Sequence, residues 1–158
     1  MKNQNWKVYA FWIGLSELVG ILAAVLTRGG MEMYMEAVNK PPLTPPPILF
    51  PIVWTVLYAL MGISTARIYL AEDSADRNKG LTLFIAQLIV NFFWPLFFFN
   101  LQQYGFSFVW LLILWVLVLS MIQSFFKTDK LAAWLQVPYL IWLTFAAYLN
   151  LGVLLLNR

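Results

Sequence analysis

The chain has 158 residues and a net charge of +3, with 62% hydrophobic and only 11% charged residues and a mean hydropathy of +0.76. Soluble domains carry roughly 25% charged residues, and here none stands between Leu81 and Phe126 or between Leu131 and Asn157. A chain this short cannot hide so much apolar sequence from water, so a soluble domain is excluded and an integral membrane protein is expected. The ten Lys and Arg are scattered at segment ends, which excludes a nucleic-acid surface. With no Cys and no His, disulfides, thiolate chemistry and the usual metal and haem ligands are absent, so neither a metal site nor a required cofactor is expected.

In chain order, the first apolar segment runs over 8–26. At about 19 residues it exceeds the apolar core of a signal peptide and reads as a transmembrane helix. Ser16, Gly20 and Ala24 recur every four residues, a narrow ridge on which another helix can approach. Glu17 is the one acidic residue inside a span. It reads either as a ligand or proton contact or as a protonated structural hydrogen bond facing the bundle interior.

The loop 27–50 is long, with a short helix expected over 31–38. Five of the eight prolines follow between Pro41 and Pro47. Each ring fixes φ and removes an amide donor, so this stretch is a stiff, extended strap rather than a helix. It opens into the second span, 52–70, with Pro51 in the first turn and Trp54, Tyr58 and Met61 along one face. The strap reads equally as a lid over a pocket or as a compact external loop.

A charged turn over 71–80 leads to the third span, 81–100, where Gln87, Asn91 and Trp94 share a face and Pro95 should kink the helix and free a carbonyl. The fourth span, 106–126, reads as a packing and lipid-facing helix. The fifth, 131–156, places Pro138, Trp142, Ala146 and Asn150 on one face. Trp6, Trp12 and Trp134, near span ends, read as interfacial anchors. The fold expected is thus an all-α integral membrane protein, residues 1–158 forming a single bundle of five transmembrane helices with a long proline-rich first loop. Lys2, Lys7, Arg67, Arg77, Lys79, Lys127 and Lys130 fall on one side, and Arg28, Lys40 and Arg158 on the other. That bias puts the N-terminus in the cytoplasm.

Three separated blocks carry a resemblance. NKPPLTPPPILFPIVWTVLYALMGIS, QLIVNFFWPLFFFN and PYLIWLTFAAYLNLGVLLLN resemble the first loop with second helix, the third helix and the fifth helix of the translocator protein family (TspO, or peripheral benzodiazepine receptor), in its bacterial form. The resemblance implies a plasma-membrane receptor binding porphyrins such as protoporphyrin IX, or a related flat tetrapyrrole, and benzodiazepine-site ligands beneath the first loop. It also implies homodimers and, for some members, degradation of porphyrin in light and oxygen. The tryptophans matching that activity are Trp54 and Trp142. Asn91, Trp94 and Ala146 match further pocket positions; Tyr58, Phe93 and Phe145 beside them, and Pro45 and Phe50 from the strap and helix entry, are the remaining candidate ligand contacts.

Leu43 and Ile48 stand where many relatives carry tryptophan, so weaker stacking by the lid is expected. The cholesterol motif is not formed, since Leu151 and Leu155 occupy its Tyr and basic positions, which argues against specific cholesterol binding. Three functions follow as alternatives: a receptor or sensor, a light-dependent porphyrin-degrading enzyme, and a transporter of tetrapyrroles or other apolar small molecules. The third is weakened by the lack of an internal repeat.

Overall fold

The computed structural model describes residues 2–158. Six α-helices and one π-helical turn make up its regular structure: α1 (Lys2–Leu26), α2 (Arg28–Ala37), α3 (Leu49–Tyr69), α4 (Ala75–Pro95) continued by the π turn (Leu96–Asn100), α5 (Tyr104–Phe126) and α6 (Lys130–Leu156). All but α2 are long and apolar enough to cross a bilayer, and the chain is an integral membrane protein. The five spans close into a ring in which α1 packs on α3, α3 on α6, α6 on α5, α5 on α4, and α4 back on α1 and α3.

The two ends of this ring are built differently. At the end holding the α3–α4 and α5–α6 turns, small residues let the backbones close up. Ala66, Ala132 and Ala133 are fully buried. Gly62 faces the backbone of Ile13 so closely that a methyl group there would overlap it. The Ser64 hydroxyl donates to the Ala132 carbonyl (2.6 Å). Arg67 pairs with Asp129 at 2.8 Å, and Asp129 also caps α6 by accepting from the amides of Leu131 and Ala132. At the opposite end the helices stand apart around aromatic rings, and α2 and the strap cover the space between them.

Several boundaries differ from the sequence reading. Helix α4 begins at Ala75 rather than 81, because Ser74 accepts from the Arg77 amide and Asp76 stands in the first turn, favourable at the positive end of a helix. The charged turn therefore shrinks to a few residues. Pro95, expected to kink its helix, stands at the end of α4. The chain widens into the π turn, where the Leu101 amide reaches the Leu96 carbonyl and the Gln103 amide the Phe97 carbonyl. Trp12 is not an interfacial anchor: it is 8% exposed and packs edge-on against Phe84, because α1 continues well past it toward the N-terminus. Trp6 and Trp134, 63% and 61% exposed, keep positions suited to an interface.

Candidate functional site

Beneath α2 and the strap lies a cavity of about 600 Å³, within the range usual for small-molecule sites. Its walls come from α1, α2, α3, α4 with the π turn, and α6, while α5 contributes none of the lining residues. Trp54 and Tyr58 enter from α3, Asn91 and Trp94 from α4, and Trp142 and Ala146 from α6, with Phe50 at the start of α3. Pro45 lines a smaller adjoining hollow under the strap, which shares Phe50, Tyr34 and Met31 with the main cavity.

Phe93 and Phe145 are not brought to the wall. Phe93 is displaced by about 200° around α4 from Asn91; it is 38% exposed and stacks on Phe97. Phe145 stacks on Tyr148 and lies 5.5 Å from the Trp142 ring, without itself lining the cavity. Matching a motif position does not make its neighbours in sequence share its face.

The tryptophans are held by contacts on several helices. The Trp54 ring lies 5.5 Å from Tyr58 and 6.2 Å from Tyr139, and that of Trp142 lies 6.1 Å from Phe50, centroid to centroid. The Trp94 indole donates to Asn150 Oδ1 (3.0 Å), which also accepts from Ser107, while the Asn150 amide donates to the Tyr104 carbonyl. Asn150 thereby joins α4, α5 and α6. The sequence had placed it only on the face of Trp142 and Ala146.

Below the tryptophans runs a directed chain of hydrogen bonds across three helices. Tyr58 donates to Asn91 Oδ1 (3.1 Å), Asn91 donates to the Tyr139 hydroxyl (2.6 Å), and Tyr139 donates to Gln87 Oε1 (2.7 Å). Because its proton is spent on Asn91, the Tyr58 oxygen is left as an acceptor at the cavity wall. Glu17 is half-buried and makes no side-chain hydrogen bond among the described residues, so the structural hydrogen bond expected for it is not formed. Gly20, one turn further along α1, instead seats the ring of Tyr58. Gly20 and Ala24 of the small-residue ridge line the cavity.

The roof is fastened from both sides. Tyr34 of α2 is 5% exposed and packs against Phe98 and Phe99 of the π turn. Burial, with a smaller contribution from Tyr104, pushes its phenol up to about 12, so it stays neutral at physiological pH. The strap is tied to the last turns of α6. Asn39 and Asn157 exchange two hydrogen bonds (2.9 and 2.7 Å), and the Tyr148 hydroxyl donates to the Pro42 carbonyl (2.6 Å). The Pro41 ring rests on Gly152, where any side chain would collide with it. Leu43, just after Pro42, has φ of 71° in a turn position that favours glycine or asparagine. Its side chain is 80% exposed, whereas Ile48 lines the cavity. Of these two strap positions, only Ile48 bears on the pocket. Combining Tyr148→Phe with Asn157→Ala is expected to speed amide hydrogen exchange at Asn39, Lys40, Leu43 and Thr44 while leaving the bundle's melting temperature nearly unchanged. Unaltered exchange would show that the latch does not restrain the strap.

A five-span membrane bundle with an aromatic cavity roofed by a latched proline strap is the class of protein that fold and site define. The TspO/MBR family profile matches residues 12–156, and the chain belongs to that family. It is 35% identical to the tryptophan-rich protein TspO of Chlorobaculum tepidum, over 98% of this chain and 99% of that one. It is 30% identical to a tryptophan-rich sensory protein of Cereibacter sphaeroides, over 98% and 94%. With the translocator protein of Bos taurus it shares 34% identity over 86% and 82% of the two chains.

Proposed function

We propose that this protein is a membrane receptor for a flat, largely apolar ligand of the porphyrin class, protoporphyrin IX being the reference compound, and that benzodiazepine-site ligands share the pocket. The observation that carries this reading is the convergence of Trp54, Trp94 and Trp142 on one cavity. Such walls bind by area and stacking, and a few polar groups set orientation. The name of the sensory relative supports a signalling role over bulk transport. The charge bias supports an N-terminus in the cytoplasm with the strap outside, and family membership supports a homodimer in the plasma membrane.

A second reading is favoured by Trp54 and Trp142 standing on different helices around the same space. There a bound porphyrin excited by light, with dioxygen as oxidant, would find indole electron donors at hand. Titrating purified protein with protoporphyrin IX in darkness and then under light separates the readings. A saturable shift of the porphyrin absorbance in darkness is expected for a receptor, and its decay on illumination faster than that of free pigment for a degrading enzyme. A titration without saturation would overturn both, and porphyrin flux into sealed vesicles would identify a transporter.

A further inference from the structure

Two residues lining the cavity carry charge, and both come from α2: Arg28 and Glu32, one turn apart. The ion pairs among the described residues join Arg67 to Asp129 and Arg77 to Asp73, so Arg28 is paired neither with Glu32 nor with any other described carboxylate. It donates no side-chain hydrogen bond there either, and it is exposed at the mouth. The neighbouring cation is already committed. Lys40 Nζ donates to the carbonyls of Met35 (3.2 Å) and Val38 (3.0 Å) and lies 4.9 Å from the Tyr34 ring centre. The Thr27 hydroxyl donates back to Ala23, so α2 begins without a side-chain cap.

Resting on the porphyrin reading, we propose that Arg28 is the acid-reading subsite of this cavity. It pairs with a carboxylate on the edge of the tetrapyrrole and holds that edge at the mouth while the macrocycle enters among the tryptophans. The chemistry requires a partner of this kind, because an ionised carboxylate is costly to bring against aromatic and aliphatic walls without one. A guanidinium fork matches a carboxylate in shape as well as in charge. Glu32 opposes the same anion from the next turn, so it narrows the positions a carboxylate can take and favours ligands whose acid groups lie on one edge. The ligand class is therefore an amphiphile with a flat apolar body and an acidic rim.

The test compares protoporphyrin IX with its dimethyl ester, on the full chain in detergent and in darkness. The parent protein is expected to bind the free acid about tenfold more tightly than the ester, the size of one charge-assisted hydrogen bond. Arg28→Gln should abolish that preference and bind the ester as the parent does, which also shows that the variant is folded. Arg28→Lys should restore part of the preference, and Glu32→Gln should tighten the acid alone. An acid-to-ester ratio that is the same in Arg28→Gln as in the parent would overturn the proposal and leave Arg28 to lipid headgroups. A parent that binds acid and ester equally would overturn it too. Failure of the parent to bind either compound would instead overturn the porphyrin reading itself.

Discussion

Where the parent protein bleaches protoporphyrin IX under light faster than free pigment decays, the Trp54→Phe/Trp142→Phe double variant is expected to keep the porphyrin bound and to bleach it no faster than free pigment. Both indoles face the one cavity, Trp54 backed by Tyr58 and Tyr139, Trp142 by Phe50. Phenylalanine keeps most of the stacking area, so the loss in binding should be at most about 0.5–1.5 kcal/mol per aromatic contact. It removes the indole N–H and the more easily oxidised ring. Neither indole is among the groups found to donate a hydrogen bond within the described residues, unlike Trp94, so the change leaves no protein acceptor unpaired. Binding and turnover therefore separate in this variant. Equal bleaching in variant and parent would remove any enzymatic role from the two tryptophans.

Asn91→Leu is expected to be among the most damaging single changes in the bundle. It removes two interhelical bonds and leaves the buried hydroxyls of Tyr58 and Tyr139 without their Asn91 partner. Interhelical hydrogen bonds in membranes average about 0.6 kcal/mol and reach about 1.7, so the two together amount to about 1–3 kcal/mol, read as a lower melting temperature in detergent. The damage comes from orphaned partners more than from the bonds themselves. Adding Tyr58→Phe, Tyr139→Phe and Gln87→Leu to Asn91→Leu should therefore recover much of the loss. A quadruple variant no more stable than the single one would show that Asn91 matters through packing alone.

The spans could be read from sequence because bilayer thickness sets a minimum length for apolar helices and the long charge-free stretches satisfied it. The strap could be read because proline dictates backbone form locally. Spacing put Trp54 with Tyr58, Asn91 with Trp94, and Trp142 with Ala146 on shared helical faces, and the family resemblance marked those faces as pocket walls. What escaped was whatever depends on which way a face turns or on contacts distant in the chain. Trp12 read as an anchor because position along a helix says nothing of the neighbours that bury it. The bonds from Asn39 and Pro42 to the last turns of α6 span more than a hundred residues, and no local pattern announces them. The lining contributed by Arg28, Glu32, Phe98 and Phe99 depends on how α2 folds back over the π turn.

The close packing at Gly62, Ala66 and Ala132, together with the Arg67–Asp129 pair, has a mechanical consequence. Helix α3 has 21 residues and is about 31 Å long. Trp54 stands about 18 Å along the helix from Ala66, so with that foot clamped a tilt of about 5° would carry its ring through roughly 1.6 Å. Such a tilt would change the distance between opposing rings by about half the thickness of an aromatic ring without disturbing the small-residue contacts below. Molecules of unequal thickness can then be gripped by one set of jaws, and the fulcrum lies at the opposite face of the bilayer from the jaws.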